Sequence, residues 1–299
     1  MVEEPKAAQR KAGKIAAKVR DDTADKLEPG MNILEVCEYA ESRITEMGAK
    51  PAFPCNVSID HIAAHYTSPR NDDSTIPDSG LVKLDIGVHV DGYIADTART
   101  VDMDGELEGF IAATDDALQE AISLMRPGVS LGEVGSKIEE VIRAYGLRPI
   151  RNLSGHQMKR FRLHAGKQVP NVKQRFTDKI EVGDIYAIEP FATTGTGKVA
   201  DTKYTYIFSN TRTEASLDDV TQKLRDHLLK TYGPLPFAAR WVGTRDGGLN
   251  VEKEFTKLLD SNAIKAYPVL VEKGNRPVSQ SEHTVFVGRG RTLTLTLGD

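Results

Sequence analysis

Cysteine is nearly absent: among 299 residues only Cys37 and Cys55 occur, too few for a disulfide scaffold and spaced unlike a zinc-binding pair. That scarcity fits a reducing compartment. Long apolar runs are also lacking. No stretch approaches the roughly 20 apolar residues of a membrane span, and the opening MVEEPKAAQRKAGKIAAKVRDD carries no apolar run that could serve as a secretion signal. The expectation is a soluble, cytoplasmic protein with no membrane partner. Neither sign of charge dominates, with 39 Lys and Arg against 43 Asp and Glu and a formal charge of -4, which argues against a broad nucleic-acid-binding surface. With 39% hydrophobic and 27% charged residues, the chain is not disordered and can bury one large core or two modest ones. Most of its acids must be solvated surface; the informative ones are those that are not.

Residues 5–28 read as a helix, with Ala8, Ile15, Ala16, Val19 and Leu27 spaced among Lys, Arg and Asp and a stop at Glu28-Pro29-Gly30. A second helix over 33–48 carries Ile33, Val36, Cys37, Ala40, Ile44 and Met47 at helical spacing and ends at Gly48. Segments 105–125 and 130–145 repeat this pattern around MRPGVS, with Ser130 and Glu133 at capping-box spacing. LEPGMNILEV and MRPGVSLGEV can be laid one over the other, which suggests two duplicated helix-helix-strand halves; two unrelated Pro-Gly helix stops would look the same. Segments 215–232 and 251–265 read as helices on either side of the aromatic and Gly-rich YGPLPFAARWVGTRDGGL, a region that looks inserted ahead of the strands YPVLVEKG and SEHTVFVG. The tail RTLTLTLG alternates Thr and Leu, as an edge strand with one solvated face would.

The segment PAFPCNVSIDHIAAHYTSP predicts short irregular strands or loops around His65. From Leu81 to Val101, LVKLDIGVHV and YIADTARTV flank Asp91-Gly92 and predict a tight hairpin. With Asp91 and Gly92 as its loop, Asp85 lies opposite Ala98 and diagonal to Asp96, and shared parity puts both carboxylates on one face. Two buried acids repel and lose hydration, so such a pair needs a cation; an exposed hairpin face would accommodate them without one. Adding His156, Glu189 and Glu282, which also stand in strand-like or Gly-rich contexts, gives four carboxylates and one imidazole. That set suits a pair of hard or borderline divalent ions and contains no sulfur ligand. Single residues have plainer readings: Glu189 as a strand end, Glu282 as a strand start, and the nearby His65 and His164 as loop histidines.

The same segments carry a resemblance. KLDIGVHVDGYIADTART, NLSGHQM, FRLHAG, AIEPFAT, VSQSEHTVFV and AAHYTSP are similar, in order and over nearly the whole chain, to the site segments of the methionine aminopeptidase family. The resemblance implies an α/β (α+β) "pita-bread" fold, two pseudo-symmetric halves around a dinuclear metal site, in one catalytic domain spanning 1–299. The stretch from Thr211 to Ala266 resembles the helical insertion of the type 2, archaeal-like enzymes. The family's activity is metal-dependent removal of the N-terminal methionine of nascent polypeptides ahead of a small second residue, commonly by a monomer and with ribosome contact left open. It implies two divalent ions (Co, Mn, Fe or Zn) held by Asp85, Asp96, His156, Glu189 and Glu282, with Asp96 and Glu282 bridging. Glu189 would also move the proton, His65 would hold or stabilise the reacting carbonyl, and His164 would approach the substrate backbone. Phe53, Leu163, Phe191 and Tyr267, with Ala238 or Ala239 from the insertion, would shape the methionine pocket. The alternatives are a relative of the same fold with another reaction, such as a proline-specific aminopeptidase, and a non-catalytic RNA- or ribosome-associated binding protein. The latter class typically loses ligands, and none is missing here.

Overall fold

The computed structural model describes residues 4–242 and 251–298. Two helix pairs open the two halves: α1 (Ala7–Ala24) with α2 (Ile33–Glu46), and α3 (Glu108–Leu124) with α4 (Leu131–Ala144). Each pair is set by local chemistry. The Asn32 side chain accepts from the N–H groups of Leu34 and Glu35 and caps α2, while Ser130 and Glu133 make the reciprocal capping box that starts α4. Helix α1 ends at Ala24, short of the expected 28, because Lys26 and Leu27 turn their N–H groups back to the carbonyls of Thr23 and Ala24 and tighten the chain toward Gly30. Helix α3 begins at Glu108 rather than 105, the Asp102 carboxylate accepting from the Leu107 N–H just before it.

The hairpin has the expected register. Strands Leu81–Val90 and Tyr93–Asp102 pair antiparallel with Asp85 opposite Ala98 and Gly87 opposite Asp96, and Asp91-Gly92 turn with positive φ at both residues, as a primed two-residue loop requires. Asn56–Ile59 and Lys50–Pro51 add to the outer side of the Leu81–Val90 strand, the short strands expected before His65. Helices α1 and α2 cover this sheet, burying Ile15, Val19, Val36 and Ile44 against Leu84, Ile86 and Val88. In the second half, α3 and α4 bury Leu118, Leu131 and Ile138 against Tyr186, Ile188 and Val285 of a five-stranded sheet. In that sheet His283–Val287 pairs with Ile185–Ile188, which pairs with Ser154–Met158. A bridge between Ala98 and Glu282 joins the two halves.

The stretch from Thr211 to Ala266, expected to be an insertion, is carried on two long strands, Val199–Asn210 and Ile264–Glu272, with α5 (Asp219–Tyr232) and α6 (Val251–Asp260). Leu224, Leu228, Phe237, Phe255 and Leu258 form its own apolar cluster against Phe208 and Ile264. Helix α6 stops at Asp260 rather than 265: Asn262 takes a left-handed φ of 55° and Ile264 already begins the strand. Helix α5 starts at Asp219, capped by Asp218, and the Gly-rich end of YGPLPFAARWVGTRDGGL lies outside the described residues. The tail forms only a three-residue edge strand, Thr292–Thr294; Leu295 and Thr296 then turn inward and are buried, against the expectation of one solvated face throughout.

Candidate metal centre

A cleft of about 650 Å³ opens between the halves, and the five expected ligands, His65, His164 and the four expected wall residues all line it. Asp85 and Asp96 enter from the hairpin, His156 from the Ser154–Met158 strand, Glu189 from the residue after Ile185–Ile188, and Glu282 from the residue before His283–Val287. Period-2 geometry explains the convergence: His156 stands opposite Ala187, so Glu189, two residues on, continues the same face. Glu282 is drawn to the hairpin by paired backbone bonds with Ala98.

The imidazole Nε2 of His156 lies 3.5 Å from Asp96 Oδ2 and 3.6 Å from Glu189 Oε1. Asp96, His156 and Glu282 each offer one ligand atom within 4.8 Å of the others. Crowding of like charge out of water raises every acid. Burial pushes Asp85 up to about 7; burial and then Asp85 raise Asp96; burial and then Asp96 raise Glu189 and Glu282. His156 moves the other way, lowered by burial and then by His164. Asp85 Oδ1 and Asp96 Oδ1 are buried with no hydrogen-bond partner. Buried oxygens of this kind are costly unless something accepts their lone pairs. Oxygen donors with one imidazole, mutually repelling and left unsatisfied by protein, fit divalent cations of the hard to borderline class.

Around this cluster stand the residues expected on the substrate side. His65 holds a left-handed φ of 65°, its Nδ1 3.2 Å from the Pro268 carbonyl and its ring edge-on to Tyr267 at 5.8 Å. Burial lowers its pKa, with the Pro268 contact opposing. The His164 ring lies 4.3 Å from that of His156 and is pushed down to about 4, by burial and then by His65 and Lys265. Both rings are therefore neutral near pH 7. Phe53, Leu163, Phe191 and Tyr267 form the apolar walls. Gly87 makes the Phe53 position possible, since a Cβ there would sit 2.1 Å from its ring. Neither Ala238 nor Ala239 reaches the cleft; Ile207 and Pro236 line it instead. Asn56 and Lys265 were also missed. Lys265 lies two residues before Tyr267 on one strand, so its parity could have revealed it.

The model of metallopeptidase family M24 matches residues 7–211. Methionine aminopeptidase of Methanothermobacter thermautotrophicus is 46% identical over 289 residues, covering 96% of this chain and 97% of the relative. That of Methanocaldococcus jannaschii is 46% identical over 279 residues, 92% of this chain and 93% of the relative. Among solved structures, a thermophilic Arx1 aligns with a TM-score of 0.85 at 19% identity over 96% of this chain and 89% of that one. Methionine aminopeptidase from Rickettsia prowazekii aligns with a TM-score of 0.71 at 20% identity over 99% of this chain and 100% of that one. At such identities the structural likeness speaks for the fold alone.

Proposed function

The chain belongs to metallopeptidase family M24 and, within it, to the methionine aminopeptidases, and from that membership we propose that it hydrolyses the first peptide bond of polypeptides beginning with methionine, favouring a small second residue. The observation that carries the reading is the meeting of four carboxylates and an imidazole at the floor of an aromatic-walled cleft. Asp85, Asp96, His156, Glu189 and Glu282 would hold two divalent ions, drawn from cobalt, manganese, iron and zinc, and Asp96 and Glu282 would be the two acids that serve both. Bound there, such ions lower the pKa of water and polarise a carbonyl.

The chain's own residues bind and orient the substrate. Phe53, Leu163, Phe191 and Tyr267 enclose the unbranched thioether, which suits an apolar slot of adaptable shape. His65 donates from Nδ1 to the Pro268 carbonyl, so its neutral ring offers Nε2 as an acceptor and holds the peptide by a backbone N–H. Stabilising the carbonyl oxygen, the role first expected of it, requires the protonated ring. Glu189, at the floor of the cleft beside His156, is the carboxylate read as moving the proton from the attacking water to the leaving amine. His164 lines the same wall and meets the substrate backbone. A non-catalytic binding protein needs no such ligand set. The reading takes the enzyme to work as a monomer in the cytoplasm.

The test is methionine release from Met-Ala-Ser and from Ala-Ala-Ser as a control, with the protein loaded separately with each of the four ions. Cleavage of the first peptide alone is expected. No methionine release with any ion overturns the reading, and equal cleavage of both peptides overturns the methionine pocket.

A further inference from the structure

Behind the two acids read as shared ligands lies a second layer of hydroxyls and one buried arginine that the proposed reaction does not use. Thr284, fully buried, accepts from the backbone N–H of Asp96 at 2.7 Å and donates to its carbonyl at 2.8 Å. Thr97 holds the other acid by a single bond, donating to the Glu282 carbonyl at 2.7 Å. Both hydroxyl-bearing strands are in turn held from outside. Thr296 Oγ1 accepts from the Thr284 N–H at 3.0 Å, and the Leu295 N–H donates to the Thr284 carbonyl at 2.8 Å. From α1, Arg20 reaches in and donates to Thr97 Oγ1 at 2.6 Å and to the Thr296 carbonyl at 3.1 Å. Its remaining nitrogens are fixed by Asp21 at 2.9 and 3.0 Å, so the guanidinium has little freedom to swing away.

Two features show that this layer is built and not incidental. Thr296 has no exposed surface although the neighbouring Thr292–Thr294 strand is an open edge, so the chain turns inward to deliver it. A glycine lets it in: a Cβ on Gly13 of α1 would lie 2.2 Å from the Leu295 carbonyl oxygen, closer than any side chain tolerates. The contacts converge on the backbones of the two residues whose carboxylates must stand at a fixed separation to share a pair of ions. Groups behind metal ligands fix ligand orientation, and their loss weakens metal binding without removing a ligand.

We propose that Arg20 and Thr296, acting through Thr97 and Thr284, are positioning residues that brace Asp96 and Glu282 from behind and thereby set the affinity of the centre for its divalent ions. The proposal rests on the metal reading given above. It assigns a role to the segment Leu295–Thr296 and to one face of α1, neither of which touches the cleft.

The experiment is a calorimetric Mn2+ titration of the metal-stripped full chain, run for the parent and for Thr296→Val, Thr296→Ser and Thr97→Val, with the melting temperature of each metal-free protein recorded beside it. Valine keeps the shape of threonine and deletes the hydroxyl. Both valine variants are expected to bind Mn2+ about tenfold more weakly, with Thr296→Ser within about twofold of the parent, as for loss and restoration of a group behind a ligand. At saturating metal they lose kcat with KM unchanged, because the apolar walls are untouched. Unchanged Mn2+ affinity in both overturns the brace, and so does a lower melting temperature of the metal-free protein with unchanged affinity, which marks the hydroxyls as structural only. If Thr296→Val does not fold, Thr97→Val decides alone. A parent that binds no Mn2+ and, in repeat titrations, no cobalt, iron or zinc sinks the metal reading and the brace with it, whereas a parent that binds as its variants do sinks the brace alone.

Discussion

At the scale of single residues, two carboxylate environments in this molecule have opposite consequences. The acids of the cleft are raised by burial and by one another. Glu272, at the end of its strand and with no exposed surface, is the reverse: burial pushes it up, but the Thr196 hydroxyl and the N–H groups of Gly274, Arg276 and Thr196 outweigh that and hold it below the ordinary value. A carboxylate depressed on folding contributes stability that is complete above its unfolded pKa of about 4.3 and is lost as pH falls through the lower folded value. Glu272→Gln is therefore expected to cost about 2–3 kcal/mol near neutrality, the worth of charge-assisted hydrogen bonds to a buried acceptor. The difference from the parent should shrink below about pH 4, which urea unfolding across pH checks; a pH-independent difference contradicts the charge argument. Asp85 and Asp96 were legible in the sequence because a two-residue period and a two-residue loop fix which side chains share a face. Glu272 was not, since its partners are backbone groups of loops at 196 and 274–276 whose approach no local pattern encodes.

At the scale of elements, the hairpin and the helix pairs follow from local chemistry, and the inserted region shows where that chemistry stops. Its helices are read from apolar spacing, yet its docking to the first half rests in part on a buried polar cluster, beside the pairing of its Ile264–Glu272 strand with Ile62–Ala64. Arg240 pairs with Glu41 of α2, separated by 199 residues, and donates to Thr67 Oγ1 at 2.6 Å and the Ser68 carbonyl at 3.1 Å. Trp241 Nε1 adds a bond to Glu41 at 2.8 Å, and the Cys55 N–H another at 3.1 Å. Cys55 lies between Phe53 and Asn56, two cleft residues, so the docking cluster also supports the wall of the site. Removing one partner of a buried pair strands the other charge, so Glu41→Ala should destabilise by about 3–5 kcal/mol. The double variant Glu41→Ala/Arg240→Ala should cost less than the sum of the two single ones, because the stranded charge is gone. Chemical denaturation of the four proteins measures this; additive losses mean the two side chains do not interact. The pairing was illegible in the sequence for the reason that makes it effective: its members are remote and each, alone, is an ordinary surface residue type.

At the scale of the whole molecule, the opening balance of 43 acidic and 39 basic residues takes on a different meaning. Four of the acids lie in the cleft between the halves, two from the hairpin and two from the five-stranded sheet side, with Asp96 and Glu282 offering oxygens close together. Without a cation these acids push the halves apart and hold protons to relieve the repulsion; with one, the same oxygens tie the halves together. A ligand that binds only the folded chain stabilises it by about 2.7 kcal/mol at a hundredfold excess over its Kd. For a chain of this length that corresponds to a rise of roughly 4 °C in Tm. Mn2+ or Co2+ should therefore raise the Tm of the chelator-stripped protein by at least this much in a dose-dependent way, and Mg2+, which resists dehydration and imidazole ligation, by less. Asp96→Ala should reverse the balance, since deleting one of four repelling carboxylates relieves the metal-free protein while taking away an oxygen both halves need. Its metal-free Tm should equal or exceed the parent's, and the rise on adding metal should fall to less than half. A variant that loses stability without metal and still gains the full rise with it would show that Asp96 is a packing residue, and that the cation, if bound, is held elsewhere.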